Sequence, residues 1–125
     1  MQNTKYQTET VKKIAGTVTG RYTDSVELDS NFDYCDGVQV IEIANGGVPF
    51  YSIGIEDKNN SYHNLTHKAD WINGQDTPIN NRYKEIFIPV IRGDKLDIKT
   101  ALDTVPVIDV EYQIIFRMRK KPSGK

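Results

Sequence analysis

Cysteine is almost missing from this chain. Cys35 is the only one, so no internal disulfide can staple the fold. Long apolar runs are missing as well, and none approaches the roughly 20 residues that a membrane-spanning helix needs. Charge of one sign is not in excess: 16 basic residues meet 17 acidic ones, which predicts no global field toward nucleic acid or anionic lipid. No Gly-rich phosphate loop and no Gly-x-Ser-x-Gly elbow occurs. The opening "MQNTKYQTETVKK" has no apolar core, so no signal peptide is expected.

What is present suits one soluble domain. With 125 residues, 38% hydrophobic and 26% charged, the chain can bury a core without metal or disulfide support. The core signal has a period of two. In "VIDVEYQIIFRM", Ile108, Val110, Tyr112, Ile114, Phe116 and Met118 share one parity, and charged or polar residues dominate the other. Such alternation specifies a strand with one buried face. "KLDIKTAL" repeats it, joined to the preceding "EIFIPVI" by the turn "RGDK". "EIFIPVI" is apolar at nearly every position, which predicts cover on both faces, with Pro89 at an edge or bulge. "PFYSIGIE" and "GVQVIEIA" read as two more strands, and "KIAGTVTG" and "DSVEL" as two short ones. Seven or eight strands separated by turns predict an all-β, single-domain antiparallel β-sandwich over residues 1–125, of jelly-roll type. Residues 1–10 are expected to form an N-terminal arm, and 119–125 a basic tail.

One long excursion, 57–83, interrupts the strands. Thr66 reads as the N-cap of a short helix over residues 66–72. On a helix, His63, His67 and Asp70 would share a face and could ligate a metal. Against this, Thr66 would leave His63 outside the helix, and Asn64 stands where a zinc hydrolase carries its glutamate. No metal or cofactor is therefore expected. Cys35 lies between Asp33 and Asp36, whose charges oppose a thiolate, so it is no candidate nucleophile. No enzyme is expected. Tyr62 and Trp71 would be the stacking residues if the excursion bound a carbohydrate, although Trp71 also suits a core anchor.

Charge is segregated along the chain. Asp24 to Asp36 holds five acidic residues and no basic one, while the chain closes on "RMRKKPSGK". Arg119, Lys120 and Lys121 are thus expected at contacts between copies, basic end against acidic stretch. Ile86 and Ile88 in the doubly apolar "EIFIPVI" are the expected apolar seam.

The stretch "NRYKEIFIPVIRGDKLDIKTALDTVPVIDVEYQIIFRMRKK" resembles the closing half of small jelly-roll proteins of bacteriophages. It shares with them an aromatic-basic lead, a strand ending in "IPV", a "GDKL" turn and a long last strand. Minor vertex, decoration and head-fibre-base proteins are of this kind. The resemblance implies a non-enzymatic virion component, assembled in the host cytoplasm, that self-associates and docks on a major capsid protein.

Overall fold

The computed structural model describes residues 4–45, 47, 51–58, 60–68, 71 and 83–121. These contain eight strands: β1 (Thr4–Lys13), β2 (Gly20–Val26), β3 (Tyr34–Asn45), β4 (Tyr51–Glu56), β5 (Ser61–His67), β6 (Ile88–Pro89), β7 (Leu96–Leu102) and β8 (Val110–Arg119). They form two four-stranded antiparallel sheets, β1-β8-β3-β6 and β2-β7-β4-β5. The fold is an all-β sandwich. Its pairings are nested: β4 with β5, β3 with β6, β2 with β7 and β1 with β8. The chain is in effect one long hairpin rolled over, and rolling adds the contacts β8–β3 and β7–β4.

The alternating segments become the strands with one buried face. β8 buries Val110, Tyr112, Ile114, Phe116 and Met118, and β7 buries Leu96, Ile98, Thr100 and Leu102. Facing them are Val38 and Val40 of β3 and Tyr51, Ile53 and Ile55 of β4. Each large side chain sealed here stabilises the fold by about 1.5–3 kcal/mol relative to exposure. Two polar groups lie within this layer and satisfy each other. The hydroxyls of Thr100 and Tyr112 are 2.7 Å apart, and the Tyr112 ring stacks on Tyr51 of the opposite sheet. That contact ties the sheets together.

Five expectations change. "KIAGTVTG" is not a strand of its own, since residues 14–19 form the turn between β1 and β2. Residues 4–10 are not an arm but most of β1, in register with β8 from Thr4↔Arg119 to Lys13↔Val110. Their inward positions carry Lys5, Gln7 and Glu9, so no apolar alternation announces the strand. Gln7 donates to Glu9 and to the Glu27 carbonyl, and its own carbonyl accepts from the Asp29 amide. Inward charge on an edge strand also discourages pairing with another chain's edge.

The expected helix starts later than Thr66, because Ser61–His67 is β5 and Thr66 sits opposite Ile53. Helical geometry of the 3₁₀ kind begins at Lys68, whose carbonyl accepts from the Trp71 amide at 2.9 Å, and residues 69, 70 and 72 lie outside the described residues. "EIFIPVI" is not covered on both faces: Ile86 and Ile88 are buried, while Phe87 and Ile91 are exposed. Ile108 is exposed too, since β8 begins only at Val110. The "RGDK" turn stands as expected, with Gly93 at φ 87° and the Asp94 amide donating to the Ile91 carbonyl.

Candidate functional site

The predicted contact residues divide between inside and outside. Ile86 (8% exposed) and Ile88 (1%) belong to the core of their own chain, so they offer no seam to another. Four of the five acids in the stretch are already ion-paired within the chain. Asp24 pairs with Lys13, Glu27 with Lys95 and Asp29 with Lys5, and the Lys121 amide donates to Asp33. Asp36 takes both Arg117 and Arg119, while the Lys120 ammonium lies over the Phe32 ring. The separation of charge along the sequence therefore reflects strands that meet when the chain rolls up. The side chains of Arg119 and Lys120 make contacts within the chain, and Lys121 does so through its main-chain amide.

His63 and His67 both lie on β5, where positions four apart are roughly 13 Å apart along an extended strand. That is too far for one metal ion to be shared. The His63 ring packs at 4.3 Å from Trp71, and His67 stands opposite Ser52 of β4. Asp70 lies outside the described residues. Among those described, no group of three potential metal ligands converges.

Trp71 is 2% exposed and its indole N–H donates to the Ile53 carbonyl at 2.9 Å, which makes it an anchor rather than a stacking platform. Tyr62 is half-buried and donates to Asp57 at 2.6 Å. Burial, and next that hydrogen bond, push the Tyr62 hydroxyl up to about 12.

Burial likewise pushes the Cys35 thiol from its ordinary 9.0 up to about 11, and the charge of Asp36 adds to it. The folded chain thus holds this proton in a range where the unfolded chain has lost it. Its contribution to stability is complete below pH 9 and lost as pH rises through about 11. Urea midpoints should accordingly fall more steeply between those limits for the natural chain than for Cys35→Ala. At about pH 8 the thiol should resist aromatic disulfide reagents until the chain unfolds.

Two surfaces remain that sequence patterning did not nominate. The first is the outer face of the β1-β8-β3-β6 sheet. A bulge between Cys35 and Gly37 makes Asp36 the extra residue of β3 and turns its carboxylate outward. Arg117 Nε donates to its Oδ1 at 2.7 Å and Arg119 Nε to its Oδ2 at 2.9 Å, and Arg119 Nη1 reaches Thr4 at 2.8 Å. Burial works against the Arg117 charge, yet the Asp36 hydrogen bond and charge leave its pKa above the ordinary value.

Four aromatic rings surround this cluster. Tyr6 meets Tyr83 at 5.9 Å, Phe87 stacks on Tyr34 at 5.3 Å, and the Arg117 guanidinium lies over Tyr83 at 5.0 Å. Gly37 lets Arg117 and Tyr83 lie flat across β3, because a Cβ there would sit 2.9 Å from an Arg117 nitrogen. Phe87 (62%) and Tyr6 (57%) project into solvent. Tyrosine, phenylalanine and arginine around a neutralised carboxylate are the composition of a protein-interface anchor.

The second surface is at one end of the sandwich, where the β1–β2 and β7–β8 loops lie side by side. The Gly16 amide donates to the Pro106 carbonyl at 2.9 Å, and the Ala15 amide to Asp109 at 2.9 Å. Ile14, Val18, Val105, Val107 and Ile108 are all exposed there. Gly47, at φ 69°, lies against Val107 so closely that a Cβ would collide with its methyl group. The only sequence sign of this end was that "TVPVI" stays apolar where a loop is normally polar. No protein-family model, no curated protein and no solved structure matches this chain.

Proposed function

We propose that this chain is a structural component of a bacteriophage virion, a minor capsid, vertex or decoration protein that works through contacts and carries no chemistry. The observation that carries this reading is the nested strand order, which we read as jelly-roll connectivity, the architecture of many viral capsid domains. Lectin and cupin domains use it as well, so the surfaces have to discriminate. A cupin places polar ligands inside its barrel, whereas the interior here is filled by Tyr51, Ile53, Ile98, Tyr112, Ile114 and Phe116. Two exposed surfaces, one aromatic and one aliphatic, suit a protein that joins others. In this reading the aromatic-arginine face docks on a major capsid protein.

The test is mass spectrometry of phage particles purified from the lysate in which the chain is naturally made. The chain should be present at a fixed ratio to the major capsid protein. A carbohydrate-binding role is the second reading, favoured by the exposed Tyr6 and Phe87 rings and no longer by Tyr62 and Trp71. Absence from particles, together with glycan-array binding that Phe87→Ala abolishes, would replace the first reading with the second.

A further inference from the structure

The aliphatic end has three properties that together specify its occupant. It carries no charge: neither "IAGTVTG" at 14–20 nor "TVPVI" at 104–108 contains an ionisable residue, in a chain that is 26% charged. It is held in shape before anything binds. Besides the two hydrogen bonds that join the loops, the Thr17 amide and hydroxyl both donate to the Ile14 carbonyl, at 3.1 and 2.6 Å. Little ordering entropy then remains to oppose association. Its rim is balanced, with Lys12 3.5 Å from Asp109 on one side and Arg21 and Asp103 lining a single hollow on the other.

The five exposed side chains present an apolar area on the order of 500 Å², near the upper limit for a lone soluble domain. That is most of the roughly 800 Å² per partner that a stable interface buries, and the rim supplies the rest.

We infer that this end is where one copy of the chain packs on a second copy. A symmetric contact sets a surface against itself, so any patch of one charge sign would repel its mate. This patch has no charge at its centre and two cations with two anions at its edge. A rotated copy can therefore set Arg21 or Lys12 against Asp103 or Asp109 while the aliphatic centres meet. A heterologous partner selected by charge would find nothing here to select it. The inward-facing positions of β1 that carry charge discourage pairing along the neighbouring sheet edge. The inference deepens the contact-protein reading and rests on it, naming the surface and the partner in place of the Ile86–Ile88 seam.

Light scattering coupled to size exclusion tests it on the full chain. The natural chain should elute at a multiple of 14.2 kDa, and a Val18→Asp/Val107→Asp double variant at 14.2 kDa. Both positions are exposed, at 68% and 73%, so circular dichroism should not change, and the urea midpoint should fall only by the stabilisation that association lends the natural chain. Arg21→Asp alone should weaken association about tenfold, and adding Asp103→Arg should restore it. A monomeric natural chain overturns the inference. So does a double variant that stays oligomeric, while presence of the chain in particles would still stand as the separate test of the contact-protein reading.

Discussion

Ile88→Asp should unfold the chain, whereas Phe87→Asp, one residue away, should leave it folded. The segment looks uniformly apolar in sequence, but Ile88 is 1% exposed and Phe87 62%. Ile88 pairs with Cys35 across the β3–β6 ladder and lines a small hollow together with Leu28, Val90 and Leu96. Asp57, Asp94 and Lys95 line the same hollow, and Lys95 is already 3.7 Å from Glu27, so a carboxylate there meets two like charges and one cation that is paired elsewhere. The cost is about 5 kcal/mol. A domain of this size has only about 5–15 kcal/mol in total.

Because the penalty falls on the ionised form, part of it should be recovered as pH drops toward about 4, where the introduced carboxyl takes up a proton. Phe87→Asp loses only the stacking contact with Tyr34, about 1 kcal/mol. Far-ultraviolet circular dichroism with urea titration separates the two variants. A folded Ile88→Asp variant that changed only the solution mass would return Ile88 to the role of an intermolecular seam.

Trp71→Ala should cost about 3–5 kcal/mol, the range for emptying a large aromatic site in a core. The ring is 2% exposed, lies against the His63 imidazole, has the Lys84 ammonium over it at 5.8 Å, and gives its N–H to the Ile53 carbonyl of β4. Removing it opens a cavity beside β5 and leaves a buried acceptor unpaired. Trp71→Phe should cost much less, about 1–2 kcal/mol, since most of the volume remains and only the hydrogen bond is lost. Urea midpoints of the two variants give the comparison. A Trp71→Ala chain as stable as the natural one would mean the indole is a ligand platform after all. The same residue is the chain's only tryptophan, so its fluorescence reports the burial directly.

The strands that face one apolar core were legible because period-two alternation has one simple solution, a sheet with one face inward. β8, β7 and β4 follow from it. β1 and β5 did not. β1 lies at a sheet edge, where inward Lys5, Gln7 and Glu9 satisfy themselves through side-chain hydrogen bonds instead of burial. In β5, "SYHNLTH" is polar and bulged against β4, and the four-residue spacing of its histidines imitates a helix face. A polar strand is stabilised by the neighbour it pairs with, and that neighbour is remote in sequence.

By itself, the sequence determined the class: one all-β domain whose apolar residues alternate, with no catalytic motif and no membrane-spanning helical run. The tertiary structure alone decided which like-looking residues face out. Ile88 and Phe87, or Val110 and Ile108, are adjacent or nearly so and equally apolar, yet opposite in exposure. It alone decided, too, that the acidic stretch finds its cations within the chain, at Lys5, Lys13 and Lys95 and, for Asp36, at Arg117 and Arg119 of the basic end. Both depend on the rolled pairing of β1 with β8 and of β8 with β3, which joins residues up to 115 positions apart. Alternation records which face of a strand is apolar and carries no information about which strand lies beside it.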